Sequence, residues 1–282
     1  MNDTSSIPTV VIQPTHGWAS LQLRAVWEYR ELLFFLVWRD LKVRYKQTAL
    51  GVAWIVLQPV VSMVIFSLLF GGLLKVPSGG VPYPIFAYAA LLPWNYFATS
   101  LNKSSTSLVG SANLITKVYF PRLIIPLSSV LSGLVDFAIA FLVLIGLMVY
   151  YGVAPTPAVV LLPAFLLLAL LTALGFGLWL AALNVRYRDI NHLIPFLVQI
   201  WMYLTPVIYG STLIPERFRF LLALNPMTGV VEGFRWALLG HHLADAQPPG
   251  LLFALSIAIA ALVLAGGTVF FRNTERTFAD II

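Results

Sequence analysis

The chain has 282 residues, of which 60% are hydrophobic and only 10% charged, and its mean hydropathy is +0.89; soluble domains carry about 25% charged residues, so a soluble globular enzyme is excluded. Lys and Arg number 17 against 11 Asp and Glu, for a net charge of +6, but the cations sit between apolar blocks and so mark membrane topology rather than a nucleic-acid surface. Cysteine is absent, which removes disulfides, thiolate metal sites and a cysteine nucleophile.

In chain order, residues 1–18 (MNDTSSIPTVVIQPTHGW) form a polar stretch expected to be flexible, and the first 46 residues lack the apolar core and small-residue site of a cleavable signal peptide. Residues 19–47 mix Trp, Leu and Phe with a basic end at Arg39, Lys42, Arg44 and Lys46. That is the pattern of an amphipathic helix on the inner face of a membrane, although a plain polybasic anchor for anionic lipid accounts for the same charges.

A bilayer core of about 30 Å needs about 20 apolar residues as helix. Residues 50–282 supply six such segments, 51–74, 84–101, 123–149, 158–183, 190–209 and 251–271. The Gly and Pro residues of YYGVAPTP (150–157) divide the third from the fourth, and the fifth is short and carries Pro195 and Pro206. The loop 103–122 predicts a short helix capped by Ser111 or Asn113 and ended before Pro121, a candidate contact for another protein. Residues 210–249 are too apolar for a solvated loop and predict two short helices. The second opens at Asn225 and Pro226, stops at Gly240 and buries Val230, Phe234, Ala237 and Leu238. Six crossings put both termini on one side. With the N-terminus inside, only Lys75, Arg217, Arg219 and Arg235 fall outside and the other thirteen cations fall inside, which predicts an N-in, C-in topology.

No Gly is followed directly by Lys, so the phosphate-cradling loop that would bind ATP is missing, and the sequence holds no zinc-protease, nucleophile-elbow or dinucleotide motif. No catalytic residue and no metal site is expected; His241 and His242 adjoin but lack a third ligand at helical spacing. Ala169, Ala173, Gly177 and Ala181 recur every four residues, as do Ser128 with Ser132 and Ser129 with Gly133, giving two helices small-residue faces for close packing. Asp136 stands alone near the middle of a span. It is either a carrier's proton site, with His192 as a distant second group, or a carboxyl hydrogen-bonded inside the bundle.

Arg39, Arg44, Lys46, Arg186 and Arg188 could ring a cytoplasmic mouth suited to a phosphate-bearing cargo, because guanidinium pairs with phosphate oxygens bidentately; positive-inside topology alone is the other reading. Trp54, Tyr88, Trp94, Tyr96, Phe97, Trp201, Tyr203 and Tyr209 lie in or beside spans. They form either an interfacial belt or, in part, a path along which sugar rings slide over aromatic faces.

The segments RYKQTALGVAWIVLQP (44–59), LLPWNYFATSL (91–101), NLITKVYFPR (113–122), NVRYRDI (184–190), YLTPVIY (203–209), NPMTGVVEGFRWALLG (225–240) and FRNTERTFADII (271–282) are each weak alone. In this order, with six spans, they make residues 20–282 resemble the membrane subunit of ABC-2 type polysaccharide exporters, which serve O-antigen, capsule and teichoic acid export. The resemblance implies an all-helical permease of the bacterial inner membrane, like the type V exporters, that is not itself an enzyme. It would homodimerise and engage two copies of a separate nucleotide-binding subunit, which binds ATP and Mg. It also implies that the 19–47 helix clasps that subunit, that Asn113, Leu114, Ile115, Thr116, Lys117, Val118, Tyr119 and Phe120 form the coupling helix, and that 213–240 holds two re-entrant helices. The implied cargo is a polysaccharide on a polyprenyl (pyro)phosphate or a phospholipid-type anchor, its phosphate held at the cationic mouth; nucleic acid is not a partner. An ABC-2 exporter of a drug or small lipid and a proton-coupled carrier centred on Asp136 are the alternatives.

Overall fold

The computed structural model describes residues 23–46, 51–244, 248, 250–275 and 278; the polar stretch 1–18 and Arg276 lie outside the described residues. Every regular element among them is helical. The order is α1 (Leu23–Glu28), α2 (Arg30–Lys46), α3 (Gly51–Phe66) continued by a π-helical segment Ser67–Leu73, α4 (Tyr83–Gly110), α5 (Ala112–Lys117), α6 (Ile124–Tyr151), α7 (Leu162–Arg186), α8 (Ile190–Leu204), α9 (Glu216–Ala223), α10 (Pro226–Leu239) and α11 (Leu251–Glu275).

Among the described residues, four helical segments are long and apolar enough to cross a membrane: Ala53–Leu73, Ile124–Tyr151, Pro157–Arg186 and Phe253–Glu275. They coincide with the first, third, fourth and sixth spans expected from sequence. The second expected span, 84–101, proves to be the first two-thirds of the 28-residue α4. This helix runs on past Lys103 and keeps Pro93 inside it. Its polarity is tolerated because it faces protein: every residue from Ile85 to Leu92 is buried, and α3, α6, α7 and α10 surround it. The fifth expected span ends early, at Leu204. Fifteen helical residues reach only about 22 Å, short of a bilayer core, and the chain continues past Thr205 and Pro206 without helix.

The small-residue faces of α6 and α7 both dock on α4. A Cβ at Gly133 would lie 2.8 Å from Ser100 Oγ, and one at Gly177 would overlap Ser104; Ala169, Ala173 and Ala181 are fully buried. Helix α7 meets α11 as closely, since a Cβ at Gly175 would lie 2.9 Å from the Leu264 backbone nitrogen. Between α6 and α7 the chain turns at Gly152, whose φ of +65° is the left-handed cap. Thr156 then accepts from Ala158 N and donates to the carbonyl of Ala237 at 2.8 Å.

Helix α2 packs along the first half of α6. Leu36, 1% exposed, joins Leu108, Ile115, Phe120, Ile124, Ile125 and Phe271 in a second apolar cluster at the end of the bundle that carries α5. Large apolar side chains stand exposed along α3 (Trp54, Leu57, Val61, Leu68) and along α8 (Phe196, Ile200, Leu204), as expected of surfaces that face lipid rather than water.

Candidate functional site

The N-terminal helix and the bundle meet at Asp136. Arg44 of α2 is ion-paired with its carboxylate and donates a second bond to Ser132 Oγ at 3.3 Å. Tyr45 Oη donates to Asp136 Oδ1 at 2.6 Å, and Lys103 of α4 lies 3.5 Å from Oδ2. Burial, then the hydrogen bond to the carboxylate, push the Tyr45 phenol well above its ordinary range, so it stays protonated and donates. A carboxylate in the apolar middle of a helix is costly unless paired. Here three side chains from two other helices occupy its oxygens, and His192 stands exposed on α8.

This cluster lines a cavity of about 450 Å³ between α3, α4 and α6. Its polar groups are Arg44, Lys103, Asp136, Asn95, Gln58 and Thr99, and its aromatic ones are Trp54, Tyr96 and Phe137. Arg44 and Lys103 stand beside Asp136 at the polar end, while Trp54, 57% exposed, presents its ring at the other. Such a space can hold an anionic group against Arg44 and Lys103 and a flat ring against Trp54.

Of the residues singled out from sequence, the structure therefore brings Arg44, Trp54 and Tyr96 together, and adds Lys103, Asn95 and Gln58. The rest of the supposed cationic ring lies elsewhere. Arg39 is paired with Asp40 at 2.8 Å, Lys46 is exposed at the end of α2, Arg186 stacks over the Tyr187 ring at 5.5 Å, and Arg188 is exposed in the turn before α8. The aromatic set divides too. Tyr88, Trp94 and Phe97 are sealed in the core: Tyr88 Oη donates to the carbonyl of Ala140 at 3.1 Å, and Phe97 meets Trp201 edge-on at 4.9 Å. Trp201 Nε1 donates to Asn225 Oδ1 at 2.9 Å; Tyr209 donates to the carbonyl of Tyr203, which is exposed. Lys103 was missed as a site residue because, beyond the end of the expected second span, it reads as a loop cation.

The segment from Asn113 to Phe120 is built as a knob. Helix α5 begins after Ser111, but the Ser111 side chain makes no capping bond; its carbonyl accepts from Leu114 N and Ile115 N instead. Ile115 and Phe120 are buried in the second cluster and Leu114 is half-buried, while Asn113, Thr116, Lys117, Val118 and Tyr119 are exposed. Arg122 fastens the following turn to the end of α11 through the carbonyl of Glu275 and through its own amide to Glu275 Oε1 at 3.2 Å.

At the opposite end, Asn225 caps α10 by accepting from Met227 N at 3.0 Å, Pro226 occupies the first turn, and Val230, Phe234, Ala237 and Leu238 are buried. Arg235, counted from sequence among the loop cations, is only 4% exposed. Its guanidinium lies 3.7 Å over the Phe86 ring and donates to the carbonyls of Phe86, Pro206, Val207 and Tyr209. It cannot report on topology, because it serves the non-helical stretch after α8, whose carbonyls would otherwise be unpaired.

Residues 31–239 match the model of the ABC-2 type transporter family, which covers the whole arrangement from α2 to α10. The chain belongs to the ABC-2 type transporter family. Among curated proteins, this ABC-2 chain is 35% identical over 264 residues to the O-antigen export system permease protein RfbA of Myxococcus xanthus, covering 92% of the chain and 98% of that protein. It is 28% identical to the RfbA of Klebsiella pneumoniae, covering 89% and 95%, and 23% identical to the polysialic acid transport protein KpsM of Escherichia coli, covering 80% and 88%. With four apolar helices long enough to span, it is a multi-pass membrane protein.

Proposed function

We propose that this chain is the membrane subunit of an ATP-driven exporter that carries a lipid-linked, O-antigen-like polysaccharide from the cytoplasmic to the outer face of the bacterial inner membrane. The observation that carries the proposal is the cavity in which Arg44 and Lys103 stand beside Trp54 and Tyr96. It offers a cationic seat for an anchor phosphate next to aromatic faces for sugar. Curated relatives covering 80–92% of the chain are O-antigen export system permeases and a polysialic acid transport protein.

Without a phosphate-binding loop, ATP and Mg bind to a separate subunit, present in two copies on a homodimer of this chain. The knob of Lys117 and Tyr119, held from beneath by Ile115 and Phe120, is the coupling contact, with α2 beside it. In this account the N- and C-termini are cytoplasmic and the chain makes six crossings. Helix α4 is shielded by its neighbours, and α8 is completed by residues 205–209, whose carbonyls Arg235 satisfies.

The test is deletion of the chain in its host. Surface polysaccharide should disappear while its lipid-linked form accumulates inside, and plasmid-borne wild-type chain should restore it where a Lys103→Ala, Trp54→Ala double variant does not. Unchanged surface polysaccharide after deletion would overturn the proposal.

A further inference from the structure

A second cavity, of about 400 Å³, lies at the end of the molecule that carries α9 and α10, away from the Asp136 cluster. It is within the size range of small-molecule sites, about 300–1,000 Å³. Its aromatic wall includes Trp236, half-buried, and Phe253. Its polar lining includes Thr228, Glu232, Ser211, Thr212 and Arg219.

Three observations limit what this space takes. Arg235 also lines it, but its donors are committed to four backbone carbonyls. The charge of Arg235 is faced by Glu232 and that of Arg219 by Glu216 at 3.8 Å, so cations and carboxylates balance around the cavity, which favours a neutral ligand over an ion. Thr228, 6% exposed, is one of three residues with a buried side-chain oxygen that has no hydrogen-bond partner among the described residues. The other two, Ser100 and Ser104, sit where α4 closes on Gly133 and Gly177, whereas Thr228 borders a cavity. An unpartnered buried hydroxyl costs stability, and a ligand rich in hydroxyls recovers it once the Thr228 side chain turns about χ1 to bring its oxygen to the cavity wall.

We propose that this cavity binds a sugar residue, with Trp236 as the flat face and with Thr228 and Glu232 as partners for its hydroxyl groups. The inference rests on the polysaccharide reading and adds a second subsite, at the end of the path opposite Arg44 and Lys103. Sugar rings present an apolar C–H face and a rim of hydroxyls that donate and accept, which matches an aromatic ring beside a carboxylate and a hydroxyl.

The experiment uses the full chain in lipid nanodiscs. The probes are oligosaccharides of two to four units, released by mild acid from the host's own surface polysaccharide. Saturation-transfer NMR should show transfer to ring protons, and binding should weaken about tenfold in Thr228→Val and in Glu232→Gln, the loss expected for one hydrogen bond to a buried or charged group. Thr228→Val is isosteric and removes an unpaired hydroxyl, so its melting temperature should hold or rise while binding falls; a purely structural residue would not separate the two. No transfer, equal transfer in the variants, or displacement of the sugar by inorganic phosphate would overturn the site. Transfer that depends on both residues supports the site even where deletion of the chain leaves surface polysaccharide intact, in which case only the export reading falls.

Discussion

Arg44, near the end of α2, is ion-paired with Asp136, in the middle of α6, across 92 positions of sequence. The pair fastens the N-terminal helix to the bundle and closes one wall of the cavity that Trp54 and Tyr96 line.

Asp136→Ala removes the carboxylate that Arg44 and Lys103 share. It should destabilise the protein by about 2 kcal/mol, the scale for a partly buried charged hydrogen bond. The exchange Arg44→Asp with Asp136→Arg should recover part of the loss. Thermal melting in detergent of the single and double variants measures the coupling. Independence of the two substitutions would show that the pair contributes nothing.

The knob of α5 separates two roles in adjacent residues. Lys117→Glu and Tyr119→Ala alter exposed side chains, so melting should stay within about 0.5 kcal/mol of wild type while export stops. Phe120→Ala empties a buried site and should cost about 3 kcal/mol. Melting and surface polysaccharide, measured together on the three variants, check the separation; export surviving both Lys117→Glu and Tyr119→Ala would remove the coupling role.

How far these features could be read in advance depended on whether the signal was local. The α10 cap at Asn225, the stop at Gly240 and the every-fourth small residues of α7 are local patterns, and each stands in the structure as read. The length of α4 was not legible, because Lys103 is a span-ending charge until Asp136, 33 residues on, answers it. The burial of Arg235 was not legible for the same reason: its carbonyl partners lie up to 149 positions away. The cavity draws on Lys103, Asn95 and Gln58 as much as on Arg44, Trp54 and Tyr96, since which face of α3 or α4 turns inward is set by packing across the bundle.

Arg235→Lys keeps the charge but cannot span the carbonyls of Phe86, Pro206, Val207 and Tyr209. It should lose about 3 kcal/mol through unpaired buried acceptors, and Arg235→Met at least as much. Loss of folded protein on size-exclusion chromatography, or a lowered melting temperature, reads this out. A wild-type melt for Arg235→Met would mean the carbonyls find other donors.

Two glycines should respond oppositely to Ala. At Gly175 the added Cβ meets the backbone of Leu264 at 2.9 Å, so α7 and α11 must part, at about 1–3 kcal/mol. At Gly146, in α6, nothing lies within 4 Å, and Ala should be neutral or stabilise by up to about 1 kcal/mol. The two melting shifts, taken together, check the close approach of α7 and α11.

The most direct test of the central claim is transport in inverted inner-membrane vesicles from the host, loaded on their outer, formerly cytoplasmic, face with the lipid-linked polysaccharide. Added ATP should move the glycan into the lumen, where an added glycosidase cannot reach it, in vesicles that contain this chain and not in vesicles that lack it. Protection that appears without ATP under a proton gradient alone, or that persists when the chain is absent, would contradict the account.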